Sequence, residues 1–197
     1  MKSLFLVVLL FCAVFAEAQN PKSLRELGSN DSVPLGKCVF YGNFIQRLGF
    51  TSGGFPQDIR IANVDTKEVF AFRVKPTFKS AKENSFCFVV DPGRYVIFNY
   101  YWTQSKWYGG KMVAEPIFKG IDATDNLEEK VKSGQIDSNK VVRFGFYLEA
   151  NTLNYLGTWH FDTGLVSFSD DKNRLDSQLK DKYKIIDLST AKVVLPD

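Results

Sequence analysis

From residue 38 onward, apolar side chains fall mostly at every second position, the period of a strand with one buried face. Ile59, Ile61 and Asn63 alternate with Arg60 and Ala62, and Asp65-Thr66-Lys67 then turns the chain. Phe70, Phe72 and Val74 form one face of the next run, and Val69, Ala71 and Arg73 the other. Alternation on both sides of a turn predicts a hairpin. Further strands are expected at residues 38–45, 85–90, 94–102, 111–118, 141–148, 156–161 and 165–168, with a short one at 191–195. Residues 94–102 are apolar or aromatic on both faces, the pattern of a strand that is covered twice or carries a binding surface. Pro116 moves the 111–118 strand toward a sheet edge. Residues 120–139 are polar, and Leu127 and Val131 leave a short helix and a long loop both open.

The period changes near the end. Leu175, Leu179 and Tyr183 recur at intervals of four, with charged residues between them and Ser169, Asp170 or Asp171 available as a cap. This predicts one C-terminal amphipathic helix packed on the sheets. Roughly nine or ten strands with that helix give the expected fold class: all-β, a β-sandwich.

The opening residues follow a different rule. Met1-Lys2-Ser3 is a short positive start, residues 4–15 are almost wholly apolar, and Ala16-Glu17-Ala18 fits the small-x-small cleavage pattern. Residues 1–18 are expected to be a signal peptide cut before Gln19. The apolar run is shorter than the about 20 residues a bilayer span needs, so no transmembrane span is expected in the mature chain. Cys12 raises lipidation as a rival, but Phe11 stands where a lipobox has a small residue. Residues 19–35 read as a polar leader, residues 36–169 as the sandwich domain, and residues 170–197 as a helix and short strand packed on it. The expected location is secreted, periplasmic or cell envelope. Asn30-Asp31-Ser32 has the form of a glycosylation sequon.

The net charge is +3 and the basic residues are scattered, so a nucleic-acid partner is not expected. Phe is frequent, at 18 of 197 residues, which agrees with a pleated, half-buried architecture. Cys38 and Cys87 remain after cleavage, and an oxidising compartment makes them either a disulfide or two buried thiols.

Catalytic motifs are sparse. His160 is the single histidine, expected to be structural, since a catalytic role needs a nucleophile within about 3 Å. Asp162-Thr163-Gly164 has the letters of an aspartic protease motif, but it sits between two expected strands as a hairpin turn. Glu115, Glu149, Asp122 and Asp125 are available as an acid pair for glycoside hydrolysis, with nothing to set two of them at the required separation. No metal site, cofactor or enzymatic activity is expected. The strongest binding signal is aromatic: Tyr100, Tyr101, Trp102, Trp107 and Tyr108, followed by Gly109-Gly110. Exposed aromatics suit sugar rings, peptides or a protein partner. The same residues otherwise close the end of a phenylalanine-rich core.

Asp91-Pro92-Gly93-Arg94-Tyr95 turning into a strand, and Asn154-Tyr155-Leu156-Gly157 entering another, resemble a pattern in bacterial secreted proteins and lipoproteins of uncharacterised function. The resemblance spans residues 37–169 and implies a carboxypeptidase-regulatory-like or immunoglobulin-like β-sandwich. It carries no catalytic residue, and the non-lipidated start departs from the lipoprotein members. A lipocalin is similar in size, export, β content and late helix, but it places Gly-x-Trp in its first strand, whereas Gly157-Thr158-Trp159 comes late. The expected role is a non-enzymatic structural or interaction protein whose partner is a protein or glycan of the envelope. The alternatives are a carbohydrate- or peptide-binding module, a lipocalin-like small-ligand carrier, and a hydrolase with an acid pair.

Overall fold

The computed structural model describes residues 20–45, 57–74, 83–106, 109–122, 127–137, 141–161 and 165–197. The expected signal peptide, Cys12, the Asp162-Thr163-Gly164 turn, Asp125, Trp107 and Tyr108 lie outside them. The protein is mostly β, with two mixed six-stranded sheets. The first sheet runs β1 (Lys22–Ser23), β5 (Val69–Val74), β4 (Gln57–Asn63), β7 (Gly93–Lys106) and β8 (Gly109–Pro116). The short β9 (Gly145–Leu148) also pairs with β7, along its first residues. The second sheet runs β11 (Ser167–Ser169), β10 (Leu153–His160), β3 (Cys38–Ile45), β6 (Glu83–Val90) and β2 (Arg25–Glu26). There β12 (Lys192–Val193) pairs in parallel with β10.

The expected β4–β5 hairpin is present, with Ile59 opposite Phe72 and Ile61 opposite Phe70. Strands distant in sequence also meet: β3 and β10 run parallel, with Val39 opposite Leu153. That pairing differs from an up-and-down barrel such as the lipocalin's, whose strands pair antiparallel. At the β3–β10 seam the register slips beside Gly157, whose φ is +88°. A Cβ there would stand 2.6 Å from Leu195 Cδ2, so this bulge requires glycine.

One buried cluster draws on both sheets. Phe40, Phe44, Phe86 and Trp159 of the second meet Ile59, Ile61, Phe72, Tyr95 and Phe146 of the first. Trp159 lies at its centre, with ring centroids 5.9 Å from Phe72 and 5.9 Å from Phe86. Its indole N–H donates to Leu156 O at 2.9 Å, so its one polar atom is satisfied.

A second cluster occupies the opposite face of the second sheet. Val39, Tyr41, Cys87 and Tyr155 are covered there by Leu175, Leu179, Tyr183 and Leu188. Leu175 and Leu179 come from α2 (Lys172–Leu179); α1 (Leu127–Lys132) is the short helix left open above. Tyr183 falls beyond the helix rather than within it. Its N–H still donates to Leu179 O at 2.9 Å, which keeps its side chain on the same buried face. Tyr41 Oη donates to Asp176 Oδ1 at 2.5 Å, and Lys172 Nζ to Asp176 Oδ2 at 2.6 Å, pinning the helix to the sheet.

Residues 19–35, expected as a polar leader, are structured from residue 22. β1 joins the edge of the first sheet and β2 the edge of the second. Leu24 between them packs on the shared core and Leu27 on the second cluster. The segment clasps both sheets through backbone pairing, which needs no apolar alternation.

Candidate functional site

The aromatic run does not form one platform. Successive side chains of a strand point to opposite faces. Tyr100 is 1 % exposed and faces the shared core, where its register partner is the buried Glu115. Trp102 shares that side, half-buried, and its indole N–H donates to Glu115 Oε1 at 3.0 Å. Tyr101 points the other way; its hydroxyl donates to Met112 Sδ at 3.3 Å. Tyr100 is therefore a core residue. Trp107 and Tyr108 lie outside the described residues.

The outward face of the first sheet carries a different arrangement. β7 has one extra residue at this point: Ile61 faces Ile97, but Arg60 faces Asn99. A bulge of this kind leaves Phe98 and Asn99 on the same side as the opposing Arg60. The Arg60 guanidinium lies 4.5 Å from the centroid of Tyr101. The Arg143 guanidinium is held between two rings, 4.6 Å from Phe98 and 4.7 Å from Phe118, and one of its N–H groups donates to Phe98 O. Burial alone lowers the Arg143 pKa to about 10. Arg60, Phe98, Asn99, Tyr101 and Arg143 are themselves half-buried, and elsewhere on this face Met112 and Tyr147 are 60 % and 55 % exposed.

Cys38 and Cys87 do not form the bridge considered above. Both are free and buried. Cys38 pairs with Val90 and Cys87 with Tyr41, an offset of three along the ladder, so the two thiols emerge on opposite faces of the second sheet. Cys38 joins the shared core and Cys87 the helix-covered cluster. Burial pushes both thiols up to about 12, far from the range of a nucleophilic or metal-ligating thiolate.

His160 does meet a hydroxyl. Its Nε2 is 2.7 Å from Ser169 Oγ, across the β10–β11 pair. Ser169 Oγ in turn donates to Asp171 Oδ2 at 3.5 Å. Ser169 Oγ thus stands between the imidazole and the Asp171 carboxylate. The nearby backbone donors are also engaged. Asp171 N–H donates to Tyr155 Oη at 2.7 Å, and Lys172 N–H to Asp170 Oδ1 at 3.0 Å. The arrangement ties β10 and β11 to the start of α2.

A cleft of about 490 Å³ lies between the N-terminal clasp and the two sheets, lined in part by Leu24, Leu35, Phe70 and Val90. Of its three charged groups, Lys37 and Asp91 pair with each other at 2.5 Å, and Arg25 is the third. Among the described residues no group of three His, Cys, Asp or Glu is placed to hold a metal, and no helix is long and apolar enough to cross a membrane. Arg60 and Arg143 were not legible as site residues, since each occupies an ordinary polar slot in an alternating run. The one available signal was an arginine beside a phenylalanine in Val142-Arg143-Phe144.

No family model matches the chain, and no curated protein matches it. Among solved structures, a leucine-rich repeat protein from Bacteroides thetaiotaomicron is similar at a TM-score of 0.30 and 13 % identity. That match covers 65 % of this chain and 14 % of the other protein.

Proposed function

We propose that this chain is an exported, non-enzymatic β-sandwich that works by binding, with the outward face of its first sheet as the working surface. The two sheets stack across one aromatic core, which supports the sandwich reading. The observation that carries the function is the unequal covering of the sheets. The second sheet is packed on both faces, while the first turns Arg73, Arg94, Met112 and Tyr147 to solvent on one. A broad exposed face with aromatic and cationic groups is the part of the molecule that stability does not need. The leader-like pattern of residues 1–18 supports a partner in the envelope or outside the cell, where a glycan or protein surface is available.

The test uses the secreted full chain and an envelope or extracellular fraction of its own source. Intact mass should show a start at Gln19. Retention on the fraction should be lost on introducing Met112→Glu with Tyr147→Glu, at unchanged melting temperature. Unchanged retention in that variant, or a chain that never leaves the cytosol, overturns the reading.

A further inference from the structure

Four arginines and two aspartates mark the open side of the first sheet. Arg73 donates twice to Asp58, at 3.0 and 3.4 Å. Arg94 donates to Asp65 at 2.8 Å. Arg60 and Arg143 have no carboxylate partner among the described residues; their contacts are the rings of Tyr101, Phe98 and Phe118 and the carbonyl of Phe98. A cation on an aromatic ring gains only a modest attraction. Withdrawing an ion from water costs more than that, so ring contacts do not fully replace a counter-ion. Charged groups that leave water are normally paired. Here the pair is missing twice among the described residues, for Arg60 on β4 and for Arg143 just before β9, two segments that flank β7.

We propose that Arg60 and Arg143 form an oxyanion-binding strip for an acidic polysaccharide, whose carboxylate or sulfate groups supply the missing counter-ions. The inference rests on the exported binding role proposed above and names its ligand. The geometry fits a repeating anion. The rings beneath the two guanidiniums, Phe98 and Tyr101, are three residues apart on β7, somewhat under the roughly 10 Å of three regular strand steps because the bulge at Phe98-Asn99 shortens the segment. A single carboxylate or sulfate does not span that distance, whereas a chain with regularly placed acidic groups does. Each guanidinium is fixed by its ring with donors to spare, and Arg143 spends one N–H of five on Phe98 O. Planar, preoriented donors suit carboxylate and sulfate bidentately. The burial that lowers the Arg143 pKa to about 10 is the cost a bound anion would reverse. A single-stranded nucleic acid fits less well. It stacks its bases on free aromatic faces, and the faces of Phe98 and Tyr101 are already taken by guanidiniums.

The experiment titrates the secreted full chain with polygalacturonate, heparin, neutral dextran and oligo-dT, at low and at physiological salt. Binding to polygalacturonate or heparin, weakened by salt and absent for dextran, is expected. Carboxylated and sulfated chains are thereby told apart. Arg60→Gln should lower affinity about tenfold in a variant that still unfolds cooperatively. Arg143→Lys keeps the charge, loses the fork, and should lower it by a similar factor; it stands in if Arg143→Gln does not fold. Absence of binding to both polyanions, equal affinity in the Arg60→Gln and Arg143→Lys variants, or tighter binding of oligo-dT overturns the proposal. If retention on the native fraction persists and still depends on Met112 and Tyr147, the anion strip falls alone; if that retention is absent too, the wider reading falls with it.

Discussion

The second sheet is buried on both faces and the first on one, and their sequences record the difference. β3 reads Cys-Val-Phe-Tyr-Gly-Asn-Phe-Ile, and only Ile45 at its end escapes full burial. Both sides of that strand face apolar neighbours, so no position is left for a charge. β4 reads Gln-Asp-Ile-Arg-Ile-Ala-Asn, with charges at Asp58 and Arg60 alternating with the buried Ile59 and Ile61 before the buried Ala62 and Asn63 end the pattern. A continuous apolar run and an alternation are thus two answers to one question, how many faces are covered. The polar residues that enter the second sheet need local partners. Asn154 Nδ2 donates to Val39 O at 3.2 Å and Thr152 Oγ1 at 2.8 Å.

The largest expected effect tests the surface that the sheets share. Trp159 is fully buried and touches rings of both. Trp159→Ala should destabilise by about 3–5 kcal/mol, through lost burial and the cavity it leaves. Urea unfolding measures it. A loss below about 1 kcal/mol would mean that the two sheets do not depend on a common core.

Alkaline unfolding sharpens the contrast between the two faces of the second sheet. Cys38 and Cys87 each rise from 9.0 to about 12 because burial disfavours the thiolate. Between those values the unfolded chain has lost the proton and the folded chain keeps it. Stability contributed by each neutral thiol is therefore full below pH 9 and falls as pH rises toward 12. The slope is up to about 1.4 kcal/mol per pH unit for each. Cys38→Ala and Cys87→Ala should each flatten the decline between pH 9 and 11, Cys38 reporting the shared core and Cys87 the helix-covered side. A variant with an unchanged slope would place its thiol in contact with water.

Local pattern was readable and long-range pairing was not. The β4–β5 hairpin, the buried stripe of α2 and the turn at Asp91-Pro92-Gly93 each rest on residues close in sequence. The parallel β3–β10 pair joins Val39 to Leu153 with no local mark. β1 and β2 are two residues each and are held by backbone groups, so their polar side chains resembled a linker. Tyr100, Tyr101 and Trp102 were read as neighbours because they adjoin in sequence, but the strand sends Tyr101 to the face opposite Tyr100 and Trp102. Arg143 was missed because its meaning depends on Phe98, which lies 45 residues away.

The smallest expected effect tests the open face itself. Tyr147 lies on β9 opposite Arg94 and is 55 % exposed. Its inward neighbours Phe146 and Leu148 are 7 % and 0 % exposed, so the buried side of the strand is complete without it. Tyr147→Ser should leave stability within about 0.5 kcal/mol, as at surface positions away from packed features. Urea unfolding beside Trp159→Ala gives the comparison directly. A loss above about 1.5 kcal/mol would show that Tyr147 packs against a covering layer, and the first sheet would then be closed on both faces like the second. A near-neutral result leaves an aromatic side chain at the surface with no part in holding the fold, which is the condition the binding role requires of that face.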